Sequence, residues 1–371
     1  MSKFTFHGTS ADETIKVSAN GQDILLTSDT GSVLADVSGV DDLTINSGAG
    51  DDTIDASAFP AGLTQLTIDG GSGNDMITGS QGDDLLMGGA GDDVVTGGRG
   101  NDTAQLGSGD DVFVWNPGDG SDVVDGNSGF DTLDFRGANI NENITISAIG
   151  DHATFVRDIA NVTMDLDNVE RIQFEALGGA DNIVVNDLTG TNVTEVNIDL
   201  AGTLGGSNGD GAADTVTVNG TGGNDQITVA ASGTETTVSG LPARVTIDHA
   251  DSGDHVVINC GAGNDTINVS ALPTGSIGVT LNGGTGNDTF MFTFGVNGHD
   301  VIQGFQAHGA GAQGDIVALA GSPDHTFDQA VADGHIAQSG ADVVISDGVN
   351  VTATLQNITL ASLHANDFLF S

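Results

Sequence analysis

A nine-residue period runs through this chain and leaves few folds open to it. From Gly70 the sequence reads GGSGNDMIT, GSQGDDLLM, GGAGDDVVT, GGRGNDTAQ and LGSGDDVFV without a break. Trp115 and Asn116 interrupt the period, which resumes as PGDGSDVVD and GNSGFDTLD and ends at Asp134. Each unit carries Gly at its fourth place, Asp at its sixth and an apolar residue at its eighth. The Asp column is Asp75, Asp84, Asp93, Asp102, Asp111, Asp122 and Asp131. The apolar column is Ile77, Leu86, Val95, Ala104, Phe113, Val124 and Leu133. The first half of a unit reads as a turn, because Gly tolerates positive φ and close backbone approach. The second half reads as a short strand with its eighth-place side chain turned inward. A disordered Gly/Asp linker has no reason to keep an apolar column in register.

Two units make one coil, so alternate units stack on the same edge of a solenoid. Stacked turns bring together carboxylates and Gly-loop carbonyls, the hard oxygen donors that Ca²⁺ takes in sixes to eights at ~2.3–2.6 Å. Mg²⁺ suits such a site less well, since it demands octahedral geometry and gives up water reluctantly. The motif holds no thiolate or imidazole, which argues against zinc and copper. In this pattern residues 70–134 resemble the RTX, or haemolysin-type, repeats of proteins exported by bacterial type I secretion. The resemblance implies an all-β fold, a parallel β-roll or β-solenoid with nonapeptide calcium-binding turns. It implies several Ca²⁺ ions held by the Asp column and by main-chain oxygens of turn residues, among them Gly71, Gly73, Gly82, Gly89, Gly91, Gly100 and Gly109. Three units depart from the pattern: Ser80 replaces a second Gly, Leu106 a first Gly, and Pro117-Gly118 opens the sixth unit.

Charge points the same way. The chain carries 52 acids against 7 Lys and Arg, a formal charge of −45, so contact with nucleic acid or an anionic membrane is repelled. The same charge resists collapse of the chain unless cations neutralise it. Cys260 stands alone, so no disulfide framework forms within the chain. No apolar run approaches the ~18 residues of a transmembrane segment. The N-terminus MSKFTFHGTSADETI lacks the apolar region of a Sec signal peptide.

The rest of the chain repeats on a longer scale. Residues 45–77 match residues 258–290, aligning Asp52 with Asp265, Pro60 with Pro273 and Asp75 with Asp288. The match extends upstream, where GTSADETIKV (8–17) resembles GTGGNDQITV (220–229), and a weaker third copy runs through 178–200. These spacings suggest wider β-helical coils flanking the compact roll in one continuous stack. We divide the chain into an N-terminal β-solenoid unit (1–69), the nonapeptide roll (70–134), a middle solenoid segment (135–219), a duplicated unit with GxGxD turns (220–290) and a C-terminal cap (291–371). Asp52, Asp265 and Asp288 are further candidate metal ligands. Asp288, with no second nonad after it, is expected to share fewer sites than Asp93.

The chain has no H-E-x-x-H and no P-loop, and the lone G-x-S-x-G at Gly205–Gly209 sits in a Gly-rich loop without the strand and helix of a nucleophile elbow. Two clusters carry basic groups: Arg136, His152, Arg157 and Arg171 with Glu142, Glu170 and Glu175, and Arg244, His249 and His255 with Asp248, Asp251 and Asp254. The segments 298–321 and 340–371 resemble the capping β-segment and uncleaved C-terminal signal of type I substrates, ending in Asp367-Phe368-Leu369-Phe370. The reading is a secreted calcium-binding protein whose folding is switched on by extracellular calcium, with a structural, matrix or adhesion role. Its implied partners beyond calcium are cell-surface or extracellular polysaccharide or other surface proteins. The competing reading is an extracellular carbohydrate-active lyase or hydrolase, with Arg157, Arg171, His249 or His255 on a solenoid face.

Overall fold

Alternation at every second residue, as in Leu66 and Ile68 or Val216 and Val218, makes each short segment a strand with one buried face. The Gly-rich turns between strands bring the next segment alongside as a parallel neighbour. The structure, a computed structural model, describes residues 2–272, 277–295, 300–308 and 313–371. Pro273, and parts of the 298–321 segment, lie outside the described residues. Strand makes up 51% of the described residues and helix 4%, so the fold is all-β as expected. Two compact units are present: Met1–Ala138 with Ile146–Glu175 and Gly190–Val196, and Asn139–Thr145 with Ala176–Thr189 and Asn197–Ser371.

In the first unit, one parallel sheet runs through Lys3–His7, Asp42–Asn46, Gln65–Ser72, Asp84–Ala90, Thr103–Ser108, Val123–Ser128 and Val162–Asp167. A second runs through Thr14–Asn20, Thr53–Asp55, Met76–Thr78, Val94–Thr96, Val112–Trp115, Thr132–Arg136 and Arg171–Glu175. Within the nonapeptide block equivalent residues are 18 apart, so two units do make one coil. The apolar column splits between the sheets: Ile77, Val95, Phe113 and Leu133 stack in one, Leu86, Ala104 and Val124 in the other. All seven are fully buried.

Coils outside the block are longer for two different reasons. A step of 23 residues, Asp52 to Asp75, accommodates a loop that buries Phe59. A step of 39 residues, Glu13 to Asp52, takes in an antiparallel meander of Thr14–Asn20, Asp23–Thr27 and Val33–Ser38. The added length of the larger coil therefore folds back as hairpins.

The second unit repeats the plan. Asn182–Val185, Thr215–Asn219, His255–Asn259, Gly278–Asn282, Val301–Gln303 and Val351–Leu355 pair in parallel. So do Gln226–Ser232, Thr266–Ala271, Thr289–Thr293, Ile316–Ala320 and Phe368–Phe370. The meander recurs as Gln226–Ser232, Glu235–Ser239 and Arg244–Asp248, and the 23-residue step recurs between Asp265 and Asp288. The chain's acidic-apolar end is built into this unit. Asp367 is fully buried and accepts the N–H groups of His308 and His364, both at 2.6 Å.

The two-residue insertion in the first unit contributes Trp115 to an aromatic cluster in its core. Trp115 stacks on Phe135 with ring centroids 4.0 Å apart, and Phe155 lies 4.2 Å beyond Phe135. The Trp115 indole N–H donates to the Gly120 carbonyl at 2.8 Å, which ties the inserted loop to the core. Removing the central ring by Phe135→Ala should cost about 3–5 kcal/mol, whereas Thr132→Ala, half-exposed on the same strand, should stay within about 0.5 kcal/mol. Denaturant melts of the two variants in calcium check this; equal, small losses contradict it.

Candidate functional site

The sixth-place Asp residues form a ladder. Because the Gly-rich turn directs each of these side chains along the stack, its Oδ1 accepts the backbone N–H of the equivalent residue one coil earlier. In the first unit Glu13 donates to Asp52, Asp52 to Asp75, Asp75 to Asp93, Asp93 to Asp111 and Asp111 to Asp131, at 2.7–2.9 Å. Asp131 continues to Glu170 at 2.8 Å. The opposite turns carry the series Asp84, Asp102 and Asp122 at 2.8 and 2.9 Å. Neither Leu106 nor the Trp115-Asn116 insertion breaks the ladder, which lengthens its step to 20 residues there.

The second carboxylate oxygen is the unusual one. The Oδ2 atoms of Asp52, Asp75, Asp93, Asp102, Asp111, Asp122 and Asp131 are buried and have no hydrogen-bond partner among the described residues. Asp265 and Asp288 in the second unit share this state. First-place glycines make the space: a Cβ at Gly88 would sit 2.5 Å from Asp93 Oδ2, one at Gly97 2.5 Å from Asp102 Oδ2, and one at Gly126 2.5 Å from Asp131 Oδ2. Glycines at the second and fourth places answer to a different constraint. Gly89 and Gly91 have φ of 115° and 129°, and a Cβ on either would land on the carbonyl oxygen of Gly71 or Gly73 one coil back. Gly100 and Gly109 stand in the same relation to Gly82 and Gly91. Main-chain carbonyls and carboxylates thus line the same edge.

Burial sets the electrostatics. It pushes the carboxyls of Asp75 and Asp84 up to about 6, those of Asp93, Asp122 and Asp131 to about 7, and that of Asp102 to about 8. Donated backbone N–H groups oppose this shift, and neighbouring carboxylates add to it. Asp111, Asp265 and Asp288 move in the same direction. A buried, half-satisfied carboxylate is costly, and a cation in oxygen coordination removes that cost. Among the described residues no three His, Cys, Asp or Glu side chains converge on one point. A cation here would draw its remaining ligands from main-chain oxygens, as a calcium ion accepts and a zinc ion does not. The donor set fits calcium.

Several contributors escape the sixth-place pattern. The fifth place carries a second ladder of opposite direction: Asn74 donates its N–H to Asp51 Oδ1, Asp92 to Asn74, Asp110 to Asp92 and Asn101 to Asp83, at 2.8–2.9 Å. The signal was present, since the first five nonads hold only Asn or Asp at that place. Asp288, which no nonad follows, still has a rung after it: its N–H reaches Asp315 Oδ1 at 3.0 Å. Glu13 and Glu170 extend the ladder as carboxylates outside any nonad.

The basic groups are engaged locally. Arg157 is buried with its guanidinium 5.4 Å from the Trp115 ring centre. Arg171 pairs with Glu195 at 2.7 Å and Arg136 with Asp134 at 2.8 Å. His152 meets Asp165 at 3.0 Å, His249 meets Asp199 at 2.7 Å, and His255 meets the Thr280 hydroxyl at 2.6 Å. Burial lowers the His255 pKa.

The raised carboxyls fix a direction for pH. Each such Asp binds its proton more tightly in the cation-free fold than in the unfolded chain. The fold therefore loses stability as pH rises from near 3.8 through the range of about 6 to 8. Calcium-free protein should show more β-structure at pH 5 than at pH 8 by circular dichroism. Structure that increases with pH under those conditions contradicts the ladder's electrostatics.

Comparison with known proteins follows the ladder closely. The family model of the RTX calcium-binding nonapeptide repeat, in four copies, matches residues 44–59, 69–104, 87–114, 118–134 and 279–292. No curated protein matches the chain. Among solved structures it is similar to the extracellular lipase LipA from Serratia marcescens, at 17% identity and a TM-score of 0.22, over 87% of this chain and 45% of that one. The chain thus spans less than half of that structure's length.

Proposed function

Taking the chain as an RTX nonapeptide-repeat protein, we propose that it is secreted, folds when it meets extracellular calcium, and serves a structural, matrix or adhesion role. The observation that carries this reading is the column of buried Oδ2 atoms without partners. Bound calcium supplies positive charge and coordination to those oxygens. Asp75, Asp93, Asp111 and Asp131 on one edge, and Asp102 and Asp122 on the other, are the residues that hold it, together with turn carbonyls. Asp52, Asp265 and Asp288 extend the set. A chain of formal charge −45 stays expanded where free calcium is low. Sites in the extracellular class, with Kd of about 10⁻⁴–10⁻³ M, remain empty inside a cell and fill outside it. Binding then becomes folding free energy.

The C-terminal segment fits export by the type I route. Phe368–Phe370 pairs as a strand in the folded chain and Asp367 is buried, so this end is readable only before folding. Calcium dependence of folding would keep it accessible until export is complete.

A calcium titration of the purified chain by circular dichroism tests the switch. The chain should be largely disordered after chelation, gain β-structure in millimolar Ca²⁺ and gain none in equal Mg²⁺. Asp93→Asn removes one charged ligand from the middle of the ladder and should cost about 1.5–3 kcal/mol, raising the calcium midpoint. A β spectrum indifferent to chelation would falsify the switch.

A further inference from the structure

The middle of the chain contains a turn pair that the nonapeptide pattern does not reveal. Residues 139–142 read NINE and residues 176–181 read ALGGAD, and no repeat match covers either. They nonetheless stack as nonapeptide turns do. Third-place residues bridge in parallel at Ala49 and Ser72, at Ala262 and Thr285, and equally at Asn139 and Gly178. At the fifth place Ala180 donates its N–H to Asn141 Oδ1 at 3.0 Å, as Asn74 does to Asp51. A Cβ on Gly179, at the fourth place, would fall 2.6 Å from the Ile140 carbonyl oxygen. The second place has positive φ even though it holds Leu177, at 66°. At the sixth place, Glu142 N–H donates to Asp181 Oδ1 at 2.8 Å, and Asp181 N–H to Asp214 Oδ1 at 2.7 Å.

Asp181 reproduces the ladder's distinctive state. It is 3% exposed and its Oδ2 has no partner among the described residues. The charges that bear on it are Asp214, Glu142 and Asp210, all negative. A pocket of about 540 Å³ lies beside the turn, lined by Asn139, Gly178, Gly179, Ser207 and Asp210.

We propose that Asp181, on the ladder between the Glu142 and Asp214 rungs, belongs to a divalent-cation site of the calcium class that lies outside the nonapeptide repeats and is completed by main-chain oxygens of the adjoining turns. The proposal rests on the calcium reading of the ladder. Its competitor is a buried carboxylic acid that keeps its proton and needs no ion.

Asp→Asn separates the two, because Asn has the shape of the protonated acid without its charge. Calcium bound per chain is measured at saturation, by equilibrium dialysis against Ca²⁺ alone, for the full chain and for Asp181→Asn and Asp93→Asn. A cation site predicts that Asp181→Asn loses one ion and raises the calcium midpoint for folding. A full count with an unchanged or lower midpoint overturns the proposal. If Asp93→Asn loses calcium while Asp181→Asn does not, only the middle site falls; if neither loses any, the calcium reading of the whole ladder falls with it. Should Asp181→Asn not fold even in saturating calcium, the count is made on Glu142→Gln, where one ion lost sustains the site and a full count overturns it.

Discussion

The fold depends on one repeated contact, a backbone N–H donated to the Oδ1 of an aspartate one coil further on. That contact fixes the register of neighbouring turns, and through them the register of the strands that follow. It also places like charges one above the next and leaves one oxygen of most of these buried carboxylates without a hydrogen bond. The seven-member column of the nonapeptide block is therefore both the device that aligns the coils and the main obstacle to forming them. A neutral side chain in its place would lower the electrostatic cost but would weaken each rung by removing its charge-assisted acceptor. The packed interior, with Phe113, Val95 and Ile77 in one stack, supplies the opposing attraction.

Much of this was legible in the sequence because both ladders and core obey one period. The eighth-place column marked the core and the sixth-place column marked the rungs. Parallel pairing followed from stacking identical units. The 23-residue steps were readable too, since Asp52 to Asp75 and Asp265 to Asp288 repeat the same interval. The 39-residue steps were less so. Their hairpins carry ordinary alternating strands, and nothing in the alternation at Asp23–Thr27 says that it runs antiparallel to Thr14–Asn20.

Where the period fails, stacked geometry persists without its sequence signature. Asp181, Asp214 and Asp254 follow one another at steps of 33 and 40 residues, too irregular to register as a repeat. Leu177 occupies a left-handed position that the nonads give to Gly, which hides the turn from any glycine-based pattern. What survives is the sixth-place carboxylate that faces the neighbouring coil; the fifth place keeps an acceptor at Asn141 but holds Ala180, Ala213 and Gly253 in the turns that follow. A coil can lose its glycines at some cost in strain and still keep its register, provided that carboxylate remains.

The direction of the rung also explains a departure that looked like decay. Each carboxylate serves the coil before it, so the first rung of a series has no N–H to accept. At three such starts, Glu13, Asp84 and Asp225, a hydroxyl residue stands four places earlier. Thr9 donates its N–H to Glu13 Oε2 at 3.0 Å, and its hydroxyl also reaches that carboxylate. Ser80 donates N–H and hydroxyl to Asp84 at 2.5 and 2.9 Å. Thr221 does the same to Asp225, at 2.8 Å for both contacts. Ser80 in place of the second glycine is thus a cap on the Asp84 series, analogous to a Ser or Thr at a helix N-terminus. Both oxygens of Asp84 are hydrogen-bonded within its own turn, so it is better satisfied than an interior rung, whose Oδ2 has no partner among the described residues. The buried oxygens without a partner thus lie in the interior of each series, at Asp93 or Asp102, where two coils meet, and away from a capped start such as Asp84.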